Sequence, residues 1–250
     1  INFVPSGDVT CTVNVDADSF TDAAGNGNTA AEEFTWTYDG NQPSMTISSS
    51  TSSVSQDGKS NATAVEFGLT SNESTTDFVM NDIATSNGNI TAFSGSGKTY
   101  NATFEPTDQG DCQIYVDAGS FTDAVGNANT KSAIFTWTYD SIPPTMDIAS
   151  TTVTSGTTTN DNPIVLTFTA SEATTDFDVD DITVTGGELS GTLAVDGDYK
   201  VYTINFVPSG DVTCTVNVDA DSFTDAAGNG NTAAEEFTWT YDGNQPSMTI

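Results

Sequence analysis

The first 47 residues of this chain of 250 residues recur unchanged at its end. Residues 1–47 and 204–250 are identical, which sets a repeat distance of 203 residues. A weaker copy occupies residues 111–140. The tryptophans divide the repeat into steps of 101 and 102 residues, at Trp36, Trp137 and Trp239. The chain is therefore a tandem array of two alternating units of about 101–102 residues each.

Apolar and polar residues alternate in short segments throughout both units. The alternation is clearest in residues 9–15, 34–38, 65–69, 100–104, 164–168 and 202–206. A period of two is typical of strands with one buried and one solvated face, and no helical period of useful length occurs. About seven such strands per hundred residues, with turn residues between them, predict an all-β fold of tandem immunoglobulin-like (Ig-like) β-sandwiches. A unit of this size can bury a core without disulfides.

The repeat gives the domain boundaries. We assign residues 44–143 to unit A and residues 144–245 to unit B. Residues 1–43 are then the C-terminal half of another B unit, which we call the half-unit, and residues 246–250 begin another A unit. Half a sandwich cannot bury its own apolar face. Either the chain is a piece of a longer array, which we expect, or a neighbouring chain completes the half-unit.

The junctions between units are short and contain proline. They read YDGNQPS at residues 38–44 and YDSIPPT at residues 139–145. Proline fixes φ and removes a backbone donor, so these junctions are partly stiff. We expect a rod-like array rather than flexibly linked domains.

The charge balance excludes several classes of function. The chain has 35 acidic residues against 4 basic ones, no histidine, and a net charge of −31. A nucleic-acid partner requires a basic face, and no apolar stretch is long enough to span a membrane. Without histidine the usual general acid/base near neutral pH is missing. Two carboxylates among Asp178, Asp180 and Asp181 could serve a glycosidase. The sequence offers no second group of catalytic residues, no pocket-forming insertion and no cofactor motif to support them. We predict that the chain is not an enzyme.

Each unit has one cysteine, so no disulfide can form within a unit. The cysteines, Cys11, Cys112 and Cys214, lie in segments where Val or Ile occupies the alternate positions. We predict that they are small buried core residues. The repeated FTWTY segment alternates aromatic residues with threonine, so its aromatic side chains are also predicted to face the core rather than a carbohydrate.

Acidic residues form the main candidate site. One end of an Ig-like sandwich collects the turn after the second strand, the turn before the last strand and the incoming linker. Unit B would place five acids there: Asp140, Glu172, Asp219, Asp221 and Asp225. Unit A and its linker would place four: Asp39, Glu73, Asp117 and Asp123. Carboxylates from several loops suit Ca²⁺, which would stiffen the interdomain junctions. The alternative is that these aspartates only cap tight turns or stay solvated.

Glycosylation signals are confined to unit A. Its four N-x-[ST] acceptors are Asn61, Asn72, Asn89 and Asn101, and unit B has none. The alternation around Asn101 points its side chain outward, as a glycan requires, and the other three are expected in or near turns. This asymmetry favours a eukaryotic secretory route and N-linked glycans on unit A. Unit B, without acceptors, is the better candidate for protein contacts.

Three segments carry a family resemblance. SEATTDFDVDDITVTGGELS, YTINFVPSGDVTCTVNVDADSFTDAAGNGN and FTWTYDSIPPT resemble the bacterial Ig-like domains of giant extracellular adhesins and surface-fibre proteins. The chain departs from them in having Cys where such units usually have Val or Ile. The resemblance implies an extracellular or cell-surface tandem array, and covers essentially the whole chain.

These observations predict a non-enzymatic structural segment of an extracellular filament or cell-surface fibre. Its expected partners are other copies of itself, arranged head to tail with lateral filament contacts as an option, and nucleic acid is not expected. The alternative is the monomeric stalk of a calcium-dependent adhesin whose ligand-binding tip lies elsewhere. A third reading, repeats that bind glycan or ice, requires a regular outward threonine array, which Asn14 and neighbouring acids interrupt.

Overall fold

A computed structural model describes residues 1–174 and 176–250 of the chain. The described residues form seventeen β-strands and two short 3-10 helices, so the predicted all-β class is confirmed. They contain no helix long and apolar enough to cross a membrane. The chain divides into two compact bodies, whose bounds differ from those of the sequence units A and B. The first comprises residues 1–52, 64–107 and 112–136, and the second comprises residues 53–63, 108–111 and 137–250.

The half-unit is an antiparallel pair of strands, β1 (Val9–Val13) and β2 (Phe34–Tyr38). Cys11 and Trp36 are directly opposite in the register. Cys11 is buried, but the valines that alternate with it are exposed.

Unit A has seven strands and the 3-10 helix η1. They are β3 (Met45–Ser49), β4 (Lys59–Ser60), β5 (Val65–Thr75), η1 (Met80–Asp82), β6 (Ile83–Ser86), β7 (Gly88–Pro106), β8 (Gly110–Val116) and β9 (Phe135–Tyr139). One sheet has the order β3-β5-β7 and the other the order β4-β9-β8-β6. The short β4 runs parallel to β9, and the other registered pairs are antiparallel. The Phe67 and Phe135 rings meet edge to face at 5.1 Å, which joins β5 of one sheet to β9 of the other.

Unit B repeats this arrangement with eight strands and the 3-10 helix η2. They are β10 (Met146–Ser150), β11 (Thr158–Thr159), β12 (Ile164–Ala170), η2 (Val179–Asp181), β13 (Ile182–Thr185), β14 (Gly187–Val195), β15 (Val201–Pro208), β16 (Val212–Val218) and β17 (Phe237–Tyr241). The sheets have the orders β10-β12-β15-β14 and β11-β17-β16-β13. The extra strand arises because unit A has the single strand β7 where unit B has β14 and β15.

The core of unit B is built from the alternating positions that the sequence predicts. Phe168, Phe206 and Trp239 are almost completely buried within one cluster. Cys214 lies in the same cluster, and Cys11 and Cys112 are also buried, which confirms the predicted core role. Trp137 and Trp239 are each 1% exposed, so the aromatic segment faces the interior in both complete units.

Candidate functional site

Two groups of three carboxylates recur at matching positions of the two units. The first triad is Asp39, Glu73 and Asp123, and the second triad is Asp140, Glu172 and Asp225. Within each triad, one oxygen from each residue lies within 4.8 Å of the others. The last aspartate of each triad is buried and the other two acids are half-buried. Six of the nine acids singled out from the sequence are thus brought together.

The buried aspartate of each triad is fixed by its own loop. Asp225 Oδ1 accepts hydrogen bonds from the backbone N–H groups of Ala227 and Asn229 at 2.8 and 2.9 Å. Asp225 Oδ2 accepts one from Asn229 Nδ2 at 2.8 Å. Asp123 is held in the same way by the loop up to Asn127. Burial raises the pKa of Asp123, but the hydrogen bonds led by Asn127 outweigh it and hold the pKa below its usual value.

The same asparagines also hold the segment that leads into each unit. Asn229 Nδ2 donates to the backbone oxygen of Asp140 at 2.9 Å, and Asn127 Nδ2 donates to that of Asp39 at 3.1 Å. A second bond follows a few residues later in each unit, for example from Thr232 N to the backbone oxygen of Pro144 at 3.0 Å. Each leading segment is therefore tied to the loop that carries the buried carboxylate.

The glutamates of the triads lie in an unfavourable electrostatic environment. Burial raises the pKa of Glu172, and the carboxylates of Asp225 and Asp140 raise it further, while Lys59 and Lys200 lower it. Burial, with Asp39 and Asp123, raises the pKa of Glu73 in the same way. A cation between the carboxylates would relieve this repulsion. Lys59 Nζ lies 3.8 Å from Asp140 Oδ2 in the second triad.

A second pair of equivalent carboxylates, missed by the sequence reasoning, anchors the same loops. Asp176 Oδ2 accepts hydrogen bonds from Thr224 N at 2.9 Å and from Thr224 Oγ1 at 2.6 Å. Asp77 does the same for Thr122 in unit A. Burial raises the pKa of both aspartates, but hydrogen bonds from the threonines bring it below the usual value. The signal for this anchor was present in the repeated TTDF sequence at residues 75–78 and 174–177.

Comparison with known proteins identifies the domains that hold these sites. The profile of the bacterial Ig-like domain matches residues 39–138 and 140–241. The chain belongs to the bacterial Ig-like domain family. Each triad lies entirely within one matched domain, and the leading aspartate is the first matched residue in both cases.

Solved structures with some likeness to the chain come from bacterial surface proteins. InvD of Yersinia pseudotuberculosis is 14% identical with a TM-score of 0.35, over 83% of this chain and 60% of that one. The Escherichia coli adhesin FdeC is 13% identical with a TM-score of 0.46, over 97% and 87%. The D00-D0 domain of intimin is 12% identical with a TM-score of 0.38, over 78% and 98%. No curated protein sequence matches the chain.

Three of the predicted calcium ligands lie outside the triads of this bacterial Ig-like chain. Asp117 forms an ion pair with Lys131 at 2.9 Å. Asp219 accepts a hydrogen bond from Asn217 Nδ2 at 2.7 Å, and Asp221 adopts a positive φ of 59° in the following turn. These residues serve local turn and surface contacts, which is the alternative that the sequence left open for the acids.

The suspected glycosidase carboxylates have a structural role. Asp178 Oδ1 accepts a hydrogen bond from the N–H of Asp180 at 2.8 Å, and Asp181 Oδ2 accepts one from the N–H of Asp178 at 2.8 Å. These two reciprocal hydrogen bonds form a capping box at the N-terminus of η2. Asp178 also lines an open cleft of about 430 Å³ whose other walls are mainly apolar and aromatic, including Phe177, Leu193 and Tyr199.

The glycosylation acceptors differ in accessibility. Asn101 is exposed on β7 opposite Gly68, as its outward orientation required. Asn72 lies within β5, and Asn89 is the second residue of β7, just after the bend at Asn87, which has a positive φ of 57°. Asn61 follows β4 and is half-buried, with Nδ2 donating to the backbone oxygen of Gly228 at 3.0 Å.

Proposed function

We propose that the chain is a non-enzymatic structural segment of an extracellular filament or cell-surface fibre. The observation that carries this proposal is the repeated tie between each domain and the segment that leads into it, from Asn127 to Asp39 and from Asn229 to Asp140. An asparagine amide that bridges a loop carboxylate and a linker carbonyl restricts the linker. Repetition of this tie in an array would convert a series of sandwiches into a stiff rod.

Composition and burial support an extracellular mechanical role. The net charge of −31 gives a strongly hydrated surface that repels other anionic surfaces. The cysteines are buried, and burial raises the pKa of the Cys214 thiol, which protects it from oxidation outside the cell. Membership of the bacterial Ig-like family supports the cell-surface location. The natural partners in this proposal are other copies of the same repeats.

Calcium binding at the two triads is part of the proposal. Each triad combines a carboxylate of the fixed loop, one of the leading segment and a glutamate at or beyond the end of a strand, and the pKa of that glutamate is raised by burial and then by the other two carboxylates. Ca²⁺ needs six to eight oxygens, so backbone carbonyls and water would complete the shell. Bound Ca²⁺ would join the leading aspartate to the domain and strengthen the same tie.

The calcium component is tested by isothermal titration calorimetry, in which Ca²⁺ is added to the full chain. We expect two sites in the native chain and none in the double variant Glu73→Gln, Glu172→Gln. The exposed Glu188→Gln substitution is the matched control and should keep both sites. Equal binding by the double variant and the control would contradict the assignment, and the mechanical proposal would then rest on the asparagine ties alone.

The filament proposal is tested by cryo-electron microscopy of the native assembly with and without a chelator. Ordered filaments with an axial repeat of one A and one B unit, and with copies in lateral contact, would support it. Isolated thin strings would favour the second candidate, a monomeric adhesin stalk that depends on calcium. Loss of straightness in chelator would support calcium at the triads in either case, so the lateral contacts are what separates the two candidates.

A further inference from the structure

Unit B has an open cleft of about 430 Å³ that the acidic triads do not use. Six of the residues that line it are Phe177, Asp178, Gly191, Leu193, Tyr199 and Tyr202. We call it the aromatic cleft. Ligand-binding clefts have volumes in this range and combine apolar walls with a few polar groups.

Unit A shows which chemical group fits against such walls. Its Phe78 and Tyr100 rings meet edge to face at 4.9 Å. Their equivalents in unit B, Phe177 and Tyr202, meet at the same distance and almost the same angle. In unit A a third ring, that of Phe93, stacks on Tyr100 at 5.6 Å and packs on Phe78 at 5.7 Å. The pair of rings thus accepts one further aromatic ring.

Unit B does not supply this third ring itself. Strand β14 lines the aromatic cleft with Gly191 and Leu193 and contains no aromatic residue. Among the described residues, the Tyr202 ring contacts one other ring, that of Phe177. A ring that enters from outside would therefore meet two rings already arranged as they are around Phe93 in unit A.

Tyr199 brings an exposed ring to the aromatic cleft in a strained backbone conformation. Tyr202 Oη donates to the backbone oxygen of Tyr199 at 3.3 Å. In unit A, Tyr100 Oη donates in the same way to Gly97 at 3.2 Å, so Gly97 is the equivalent of Tyr199. Both residues have a positive φ, 66° for Gly97 and 55° for Tyr199, which suits glycine and strains tyrosine. Tyr199 is 49% exposed, so core packing does not require its ring, and strain of this kind is typical of binding sites.

The surroundings of the aromatic cleft are strongly acidic. Residues 177–181 and 191–202, which include its lining residues, contain five acids and one lysine: Asp178, Asp180, Asp181, Asp196, Asp198 and Lys200. Burial raises the pKa of Asp181, a hydrogen bond from the N–H of Asp178 lowers it, and the carboxylate of Asp178 raises it again. A positive charge beside these carboxylates would relieve their repulsion.

We propose that the aromatic cleft of unit B binds an aromatic side chain from a basic segment of another protein. The ring would pack on Phe177 and Tyr202, with Tyr199 as the outer wall, and flanking lysines or arginines would meet Asp178 and the neighbouring acids. A second copy of this chain is a poor occupant, because it has 35 acidic residues against 4 basic ones. The inference depends on neither the filament nor the calcium proposal.

The first test adds short peptides with blocked ends to the full chain labelled with ¹⁵N. The probes are Lys-Phe-Lys, Lys-Ala-Lys, which lacks the ring, and Glu-Phe-Glu, which reverses the charge. We expect Lys-Phe-Lys to shift the amide signals of Gly191 and Tyr199 in NMR spectra. The other two peptides should bind at least about tenfold more weakly. No shift with Lys-Phe-Lys, or an equal Kd for either of the other peptides, would overturn the proposal.

Two substitutions show whether the strained ring takes part. Tyr199→Gly removes the outer wall and relieves the positive φ, so the fold should persist while Lys-Phe-Lys binds at least about tenfold more weakly. Asn87→Gly is the matched control, because Asn87 has a φ of 57° in unit A and should leave binding unchanged. Unchanged binding by the Tyr199→Gly variant would contradict the assignment.

Other occupants give different results in the same spectra. Shifts at Gly191 and Tyr199 that grow with protein concentration, without peptide, would identify a second copy of the chain. Phenylethylammonium ion that binds as tightly as Lys-Phe-Lys would identify a small organic cation. Either result would overturn the assignment to a basic protein segment.

Discussion

Asn229 Nδ2 lies 2.9 Å from the backbone oxygen of Asp140 and 2.8 Å from Asp225 Oδ2. One buried side-chain amide therefore connects the leading segment of a bacterial Ig-like domain to the buried member of its acidic triad. Each of the two donor hydrogens of the amide has one oxygen acceptor. Asn229 therefore takes part in the tie to the leading segment and also holds a carboxylate of the candidate cation site.

Replacement of this amide should destabilise unit B. Asn229→Ala removes both hydrogen bonds and leaves the buried Asp225 oxygen without its side-chain partner, at an expected cost of about 1–3 kcal/mol. Chemical denaturation followed by tryptophan fluorescence, in a chain that keeps only Trp239 after Trp36→Phe and Trp137→Phe, measures it. Asn26→Ala is the matched control, because Asn26 occupies the same position of the repeat in the half-unit and makes the same side-chain hydrogen bond to its loop carboxylate, Asp22. Equal effects of the two substitutions would contradict a role for the tie.

The duplicated sequence also permits a direct comparison of burial. Phe223 is 1% exposed in the core of unit B, and Phe20, at the same position of the repeat, is 63% exposed. We expect Phe223→Ala to cost about 3–5 kcal/mol and Phe20→Ala to stay within about 0.5 kcal/mol. Thermal unfolding by calorimetry gives both values. A comparable loss in the Phe20 variant would show that the half-unit is covered in solution.

Most of the fold could be predicted from the sequence because the repeat and the two-residue alternation are both strong signals. Trp239 and Cys214 were correctly placed in the core, since a strand with one polar face leaves only one face to bury. The strand limits were less accurate. Asn72 lies within a strand that extends past the alternating core residues, and hydrogen bonding rather than side-chain pattern determines that limit.

The candidate site was predictable only in outline. The placement of Asp39, Glu73 and Asp123 followed from the topology of an Ig-like sandwich. The roles of Asn229 and Asp176 did not, because both depend on the folded path of one loop. Short polar residues in a turn look alike in the sequence, whether they cap the turn, hold a linker or face water.

Glu172 and Asp176 should affect stability in opposite directions as pH changes. The folded pKa of Asp176 is below 3.8, so its contribution is present above pH 3.8 and is lost as pH falls through the folded pKa. The folded pKa of Glu172 is above 4.5, so its ionisation destabilises the fold as pH rises past 4.5. Glu172→Gln should therefore stabilise unit B at neutral pH without calcium, and this gain should vanish near pH 4. A gain that persists at low pH would contradict the charge repulsion.

The cysteines should be unreactive in the folded protein. Each thiol is at most 4% exposed, and burial raises the pKa of Cys214, so little thiolate is available to a reagent. Colorimetric thiol titration should find none of the three groups on a time scale of minutes in buffer and all three in guanidinium chloride. Rapid labelling of Cys11 alone would indicate that the isolated β1–β2 pair opens independently of the complete units.

The accessibility of the acceptor amides gives a final prediction about modification. Asn101 is exposed opposite Gly68, which has no side chain, and Asn89 is exposed on the same strand. Asn61 instead donates its side-chain amide to Gly228 at 3.0 Å, a contact that a glycan on the same nitrogen would displace. On secretion from a glycosylating host, Asn89 and Asn101 should be occupied and Asn61 should be bare or sparsely occupied. Glycopeptide mass spectrometry measures all acceptors in one digest.

The control for this prediction is Asn61→Gln, which should leave the total glycan mass unchanged. A substitution of Gly228 would not serve, because it cannot remove a backbone acceptor. Full occupancy of Asn61 would mean that the sugar is added before the contact with Gly228 forms.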